Sequence, residues 1–400
     1  MRNLNIAIRS LFKKGRHNVM KIISLSVGLS VALVMIAKIY FEQSYDTFYP
    51  DADRIYRIYE NYSMNGKEED YYQVSGAVAP AMRSEIPGVE DATRLTYIGG
   101  DNTLFTTPDK QRYSARYIMM ADSNVFDIFP VPILSGNPKV VLAKPWYAMI
   151  SRSLAEKIRE GNSLESGIGK TLSVDRKEPM SIRGVFEDMG ENADIHFDVV
   201  VPMSKLWNLA RGGWGYDISY MSIIRFRDPA KDIKAVDARI PDMLKKYMAD
   251  SSNKKKSHRF SFRPLLEYHT ADPTVRLMIL MMSVLGIAIL LIAAFDYVLI
   301  AVSSLARRAK SIGVHKCCGA TDNSIFRMFL TETALVLFMS VLLTMLLIFQ
   351  FREFVEEIAG IRLSSLFTWQ TLWVPLTVLL VVFILAGAIP ASIFASIPVT

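Results

Sequence analysis

Cysteine is nearly absent from this sequence. Only two of the 400 residues are cysteines, and these two, Cys317 and Cys318, are neighbours in the chain. Small secreted domains that lack a large core depend on several disulfides, so adjacent cysteines in a chain of this length exclude a disulfide scaffold. A free cysteine usually behaves as a small buried hydrophobic residue, and we therefore expect both side chains to be buried.

The motifs of catalytic and metal sites are also lacking. The five histidines are scattered, and neither a His-Glu-x-x-His motif nor a spaced cysteine pair occurs. No Gly-x-Ser-x-Gly turn is present in residues 42–276. Residues 167–171 end in Gly-Lys-Thr like a phosphate-binding loop, but Leu164 occupies the position of its first glycine. We therefore expect a turn before a strand there, and a chain that binds no cofactor or metal and is not an enzyme.

Long apolar runs are the main feature that is present. Hydrophobic residues make up 51% of the chain and charged residues 21%, a composition too apolar for disorder. A helix needs about 20 apolar residues to cross a bilayer. Four runs meet this length, and they cover residues 20–41, 277–300, 328–351 and 372–397. The sequence therefore predicts a bundle of four transmembrane helices. The ionisable residues Lys21, Lys38, Asp296 and Glu332 lie near the ends of these runs, where the headgroup region is within reach.

Positive charge is concentrated beside these runs. Of the net charge of +7, residues 1–21 contribute +6 and residues 303–327 contribute +4, which leaves −3 for the rest. Basic residues accumulate in the cytoplasmic loops of membrane proteins, so both segments are predicted to be cytosolic, with residues 42–276 and 352–371 outside. A cleavable signal peptide is the alternative for residues 1–41. We favour an uncleaved helix because the apolar run is long and no small-residue cleavage site follows it.

The large outside segment shows mixed strand and helix patterns. Strand-like runs occur at residues 55–59, 116–120, 147–151, 172–174 and 181–186. Apolar residues with helical spacing occur at residues 78–86, 153–159 and 233–248. Since no long linker interrupts residues 45–272, we predict one compact α/β (α+β) domain inserted between the first and second spans.

Several motifs resemble one family of membrane proteins. The stretch Tyr45-Asp46-Thr47-Phe48-Tyr49 is similar to the start of a MacB-like periplasmic core domain. Within residues 307–321, Ile312-Gly313-Val314-His315-Lys316 and Gly319-Ala320-Thr321 resemble the Ile-Gly-Val-Arg-Lys and Gly-Ala-Thr motifs of FtsX-like permeases. The chain thus resembles the FtsX-like, MacB-like permeases of ABC transporters. Ser311 and His315 replace the usual Glu and Arg, so the contact made by this loop is expected to differ in charge.

The resemblance implies two contact sites for a separate ATPase subunit. One is a basic amphipathic helix near the N-terminus, with the apolar residues Leu4, Ile8, Leu11 and Phe12. The other is a cytoplasmic coupling loop, with the residues Arg307, Arg308, Lys310, Ile312, Gly313, His315, Lys316 and Gly319. The residues alone leave simpler alternatives open. Attraction to anionic lipid headgroups would explain the helix, and a topology signal would explain the loop.

The function implied by the resemblance is that of a permease subunit of export or efflux type in the bacterial inner membrane. It would pass ATP-driven movement to its periplasmic domain by mechanotransmission, while ATP is bound by the partner. The implied partners are an ABC ATPase subunit, a second permease copy or second half of the same chain, membrane lipids, and a periplasmic or outer-membrane adaptor. Nucleic acid is not among them. The alternatives are an FtsX-type regulator of cell-wall hydrolases, and a membrane-anchored sensor or binding domain without an ATPase.

The predicted organisation follows directly from these assignments. Its segments are a cytoplasmic amphipathic helix (1–19), transmembrane helix 1 (20–41), the outside domain (42–276), transmembrane helix 2 (277–300), the coupling loop (301–327), transmembrane helix 3 (328–351), a short outside loop (352–371) and transmembrane helix 4 (372–397). Ser24, Gly28 and Ala32 recur at four-residue spacing and predict close packing against another helix, either of the same chain or of a second copy. Resemblance also leaves open that the sequence is the first half of an eight-span form.

Overall fold

The chain forms two compact units. The computed structural model describes residues 18–64, 67–98, 103–106, 112–115, 117–158, 167–174, 179–206, 214, 220–248, 258–303, 312–314 and 316–395. One unit consists of residues 45–271, and the other combines residues 1–44 with residues 272–400. Residues 45–271, which lie within the outside domain predicted from the sequence, therefore form one compact unit.

Four helices are long and apolar enough to cross a membrane by length and composition. They are span 1 (Asn18–Gln43), span 2 (Pro273–Ser303), span 3 (Asp322–Gln350) and span 4 (Trp373–Ile393). Together with the mixed α/β domain between spans 1 and 2, they confirm the predicted fold class.

Local signals define where the spans begin. Span 2 begins with a proline, whose fixed φ suits a first helical position, and the Oδ1 atom of Asp272 accepts a hydrogen bond from the Thr274 amide at 2.7 Å. Span 3 begins after Thr321, whose side chain accepts a hydrogen bond from the Ser324 amide at 3.3 Å. These caps extend both helices beyond the apolar runs from which they were predicted.

Span 4 is interrupted by a π-helical turn. Its α-helical part Trp373–Phe383 is followed by the π-helical residues Ile384–Ala388 and then by a last helical segment, Ile389–Ala395. Pro390 lies in this last segment. Proline lacks an amide hydrogen and clashes with the carbonyl four residues earlier, so a widened turn before it relieves the conflict. Three short helical elements connect spans 3 and 4, namely Arg352–Ala359, Leu363–Leu366 and the 3₁₀ turn Trp369–Thr371.

Span 1 is packed closely by its neighbours in the same chain. A Cβ atom added at Gly28 would lie 2.3 Å from the Cβ atom of Ala293 in span 2, and Ala32 is fully buried. On another side, Thr344 of span 3 donates a hydrogen bond to the Ser26 carbonyl at 3.1 Å. The predicted close-packing positions therefore serve the chain's own bundle, which is one of the two alternatives that the sequence left open.

The outside domain is built on one mixed β-sheet. The described strands are β1 (Ile55–Met64), β2 (Lys67–Tyr71), β3 (Val89–Tyr97), β4 (Thr103–Thr106), β5 (Arg112–Ala115), β6 (Ile118–Ala121), β7 (Ile133–Ser135), β8 (Tyr147–Ser151), β9 (Thr171–Val174), β10 (Met180–Phe186), β11 (Val199–Pro202), β12 (Met221–Phe226) and β13 (His258–Pro264). Their order is β13-β1-β12-β3-β6-β11-β8-β10-β9-β4-β5, with β2 paired to β1 and β7 to β10.

Helices cover both faces of this sheet. In β12, Ile223 and Ile224 are adjacent and fully buried, yet they belong to two different core clusters because successive side chains point to opposite faces. The helices of the domain are Val78–Glu85, Val125–Ile128, Pro138–Val141, Arg152–Ile158, Pro229–Met248 and Leu265–Ala271, with 3₁₀ turns at Ala52–Arg54 and Met203–Leu206. Central strand β11 is buried along its whole length, which requires cover on both sides.

The segment that resembled a phosphate-binding loop is a turn before a strand, as predicted. Gly169 has a φ of +90°, a conformation that favours glycine, and its amide donates a hydrogen bond to the Ile182 carbonyl at 2.8 Å. Strand β9 then begins at Thr171.

Candidate coupling segment and polar clusters

Only part of the predicted contact sites lies within the described residues. The amphipathic positions Leu4, Ile8, Leu11 and Phe12 and the loop positions Arg307, Arg308, Lys310 and His315 lie outside them. Ile312, Gly313, Lys316 and Gly319 are described. We refer to the described residues 312–314 and 316–321, which precede span 3, as the coupling segment.

Ile312 anchors the coupling segment in an apolar cluster. Its side chain is 1% exposed and packs with Ile325 and Phe329 of span 3 and with Ala391 of the last segment of span 4. Burying an isoleucine side chain contributes about 1.5–3 kcal/mol. Ile312 therefore fixes the start of the coupling segment between two spans.

Lys316 makes a second attachment. Its Nζ atom donates a hydrogen bond to the Ala395 carbonyl at 2.9 Å and lies 2.8 Å from Oδ1 of Asp322. The side chain is only 13% exposed. The ammonium group of Lys316 thus lies between Asp322 at the start of span 3 and Ala395 in the segment Ile389–Ala395, and its predicted role in the contact with a partner ATPase stays a prediction.

A short turn connects the coupling segment to span 3. The Cys318 amide donates to the Val314 carbonyl at 3.0 Å, and the Gly319 amide donates to the Lys316 carbonyl at 2.9 Å. Gly319 has a φ of +87°, a left-handed conformation common where a helix ends. A Cβ atom at Gly313 would meet no atom of the described residues within 4 Å, so their packing does not require glycine there.

The other side of the coupling segment is accessible. Val314 is 58% exposed, and Cys317 and Cys318 are both exposed. The expectation that the two cysteines are buried is therefore wrong. Val314, Cys317 and Cys318 follow the inward-facing Ile312 or Lys316 by one or two positions. Because a helix turns by about 100° per residue, their side chains point away from the bundle.

Polar side chains connect spans 1, 2 and 3. Lys21 is 1% exposed, and its Nζ atom lies 5.3 Å from the centroid of the Tyr297 ring. The Tyr297 hydroxyl is 2.9 Å from Oγ1 of Thr333, and Ser24 donates a hydrogen bond to Asp296 at 3.3 Å. Lys21 therefore points into the bundle, and the prediction that it reaches the headgroup region is wrong. At the other end of span 1, Lys38 forms an ion pair with Glu42.

The motif that begins the outside domain forms a buried polar cluster. We define the Asp46 cluster as Tyr45, Asp46, Tyr49, Asp194 and His269. The Asp46 side chain accepts a hydrogen bond from the Asp194 amide at 3.2 Å, and Nδ1 of His269 lies 3.5 Å from Oδ1 of Asp194. The Tyr45 ring stacks on the His269 ring at a centroid distance of 3.4 Å. The cluster thus joins residues that directly follow span 1 to a histidine that closely precedes span 2.

Burial changes the acidity of this cluster. Asp46 is 1% exposed, and its Oδ2 atom is buried without a hydrogen bond from the described residues. Desolvation raises the pKa of Asp46 from 3.8 to about 7. The Asp194 amide and the charge of His269 oppose the rise, while the charge of Asp194 adds to it. Desolvation also raises the pKa of Tyr49 well above 10.0. Asp46 therefore titrates near neutral pH.

The sequence alone does not reveal the Asp46 cluster. Asp46 belongs to the family-like motif Tyr45–Tyr49, His269 is one of five scattered histidines, and Asp194 belongs to no motif. A positive φ of 59° at Asp46 marks an unusual backbone conformation, but nothing in the local sequence shows that its side chain is buried.

Comparisons with known proteins found a matching family model and similar solved structures. Residues 283–399 match the family described as FtsX-like permease C-terminal. A crystal structure of a domain of a protein assigned as a permease, from Porphyromonas gingivalis, is 29% identical to this chain with a TM-score of 0.49, and covers 54% of this chain and 91% of its own. The periplasmic region of MacB from Actinobacillus actinomycetemcomitans is 13% identical with a TM-score of 0.38, and covers 56% of this chain and 94% of its own. No curated protein sequence matches the chain.

Proposed function

From the match of residues 283–399 to the FtsX-like permease C-terminal family, we propose that the chain is the membrane subunit of an ABC transporter of export or efflux type. A separate ATPase subunit binds and hydrolyses ATP on the cytosolic side of the bacterial inner membrane. The permease chain has no catalytic role and passes the movement to a periplasmic domain formed by residues 45–271.

The observation that supports this proposal is the two-sided coupling segment within the family match. Ile312 and Lys316 attach the segment to spans 3 and 4, while Val314, Cys317 and Cys318 are exposed. An element that is anchored on one side and accessible on the other can transfer a force applied by a bound partner to the helices behind it. Apolar side chains at the centre of an interface contribute more to binding than charges at its rim, so we assign Val314 to the centre of the contact.

The covalent connections of the outside domain complete the proposed route. Span 1 ends at Gln43, two residues before Tyr45, and span 2 begins at Pro273, two residues after Ala271. Because a single residue separates each span from residues 45–271, we propose that displacement of spans 1 and 2 relative to each other reaches the Asp46 cluster through the chain.

Copurification tests the proposal. The full chain, tagged and extracted in detergent from its own host, should retain an ATPase subunit, and ATP hydrolysis by that complex should be faster than by the separated ATPase. The variant Val314→Asp should lose this stimulation because it places a charge at the centre of the contact. Asn323→Asp is the matched control, since it adds the same charge at another exposed position close to the start of span 3.

Two results would argue against the proposal. Absence of any ATPase from the purified wild-type chain would favour a membrane-anchored sensor or binding domain. Equal stimulation by the wild-type chain and the Val314→Asp variant would exclude the coupling segment from the contact.

A further inference from the structure

Lys316 connects three elements that are distant in the chain. It lies in the coupling segment, its Nζ atom donates a hydrogen bond to the carbonyl of Ala395 at the end of span 4, and it pairs with Asp322 at the start of span 3. The Ala395 contact spans 79 positions of sequence. This connectivity distinguishes Lys316 from a basic residue that only marks the cytosolic side.

Charge favours this arrangement. The Lys316 ammonium lies between the carbonyl oxygen of Ala395 and the carboxylate of Asp322, and Asp322 occupies the first turn of span 3, where a carboxylate is favoured. Asp322 is itself 70% exposed, so its ion pair alone contributes little. The bond from the poorly exposed ammonium to the Ala395 carbonyl is charge-assisted and therefore carries most of the attachment.

Ile312 and Lys316 act on the same side of the coupling segment. They are four residues apart, which places them on one face of a helix, and both contact the last segment of span 4, through Ala391 and Ala395 respectively. The coupling segment, the first turns of span 3 and Ile389–Ala395 thus form one packed body.

The π-helical turn separates this body from the rest of span 4. Residues Ile384–Ala388 lie between Trp373–Phe383 and Ile389–Ala395. π-helical turns occur mostly as single turns inside α-helices and are one of the few places where helices kink sharply. We therefore expect span 4 to bend at Ile384–Ala388 when its last segment moves.

We infer that Lys316 is a positioning residue that fastens the coupling segment to the end of span 4, so that displacement of the segment carries Ile389–Ala395 with it and span 4 bends at its π-helical turn. The fastening follows from contacts within this chain, whereas its role in transmission rests on the proposed function.

Hydrogen exchange tests the fastening without any partner. The full chain in detergent is compared with Lys316→Met, which keeps the aliphatic stem and removes the ammonium. Exchange of the Cys318 and Gly319 amides should become about tenfold faster, since loss of a charge-assisted hydrogen bond favours local opening by roughly that factor. Arg327→Met removes an equal charge from an exposed position of span 3 and should leave both rates unchanged. Unchanged rates in Lys316→Met would overturn the inference.

A second measurement distinguishes a role of Lys316 in transmission from a purely structural role. In the complex with the ATPase, Lys316→Met should bind the ATPase as the wild type does but stimulate hydrolysis about tenfold less, and Lys316→Arg should restore stimulation. Full stimulation by Lys316→Met would contradict a role in transmission. If the wild-type chain binds no ATPase, the proposed function fails, and the exchange result still decides whether Lys316 fastens the segment.

Discussion

Replacement of Asp46 by asparagine should stabilise the outside domain by an amount that grows as the pH rises from about 4 to about 7. The asparagine Oδ1 atom can still accept the hydrogen bond from the Asp194 amide, and asparagine tolerates the φ of 59° at this position. The carboxamide has no charge to bury, so the substitution removes the desolvation cost that ionised Asp46 pays.

The magnitude follows from the raised pKa of Asp46. The folded domain binds the Asp46 proton with a pKa of about 7, against the model-peptide value of 3.8. Between these values the folded state holds more protons than the unfolded state, so stability falls as pH rises through that interval. The contribution is fully present below pH 3.8 and lost above about pH 7, and its size is about 4 kcal/mol.

Thermal unfolding of the outside domain measures this difference. For a domain of this size, about 4 kcal/mol corresponds to a shift of roughly 8–16 °C in Tm. The Tm of Asp46→Asn should exceed that of the wild type by about this amount at pH 8, and the two should agree near pH 4. Asp242→Asn changes an exposed carboxylate of the same domain and should show the same difference from wild type at both values. Equal stability of Asp46→Asn and the wild type at pH 8 would refute the conclusion that burial of the ionised Asp46 carboxylate destabilises the domain.

Three further predictions concern topology, packing and domain autonomy. An impermeant maleimide should label the exposed Cys317 and Cys318 only after spheroplasts are permeabilised, and labelling of intact spheroplasts would reverse the orientation. Gly28→Leu should lower the Tm of the full chain in detergent by an amount equivalent to about 1–3 kcal/mol or more, because an added Cβ atom would already lie 2.3 Å from the Cβ atom of Ala293. Val27→Leu, on the exposed side of the same helix, should leave the Tm unchanged. A fragment of residues 45–271 should be soluble without detergent and unfold cooperatively, and an aggregating product would show that the domain needs the spans.

The spans were predictable because their signal is local. A run of about 20 apolar residues is sufficient evidence for a transmembrane helix, and strand β8 (Tyr147–Ser151) was likewise predicted with its observed ends. Strand β3 was missed because polar residues interrupt its apolar pattern. Its residue Asp91 is buried and accepts a hydrogen bond from Asn124 at 2.8 Å, and Arg94 pairs with Asp122 at 2.8 Å.

The contacts of the candidate site depend on distant parts of the chain. The family motif pointed to the coupling segment, but the direction of Lys316 depends on Ala395, 79 residues away, and Asp46 is buried in contact with Asp194, 148 residues away. Neither partner can be read from residues near the motif. The sequence therefore locates the segment, whereas only the fold shows which side chains hold it and which remain accessible.

In the proposed mechanism, ATP-driven movement reaches the outside domain through the coupling segment. Hydrogen exchange of the Asp46 and Asp194 amides, both hydrogen-bonded around the Asp46 cluster, measures this directly in the purified complex with its ATPase. Trapping the ATPase in its ATP-bound state should change these exchange rates in the wild type and leave them unchanged in Val314→Asp. Identical exchange with and without ATP in an assembled, hydrolysing wild-type complex would contradict it.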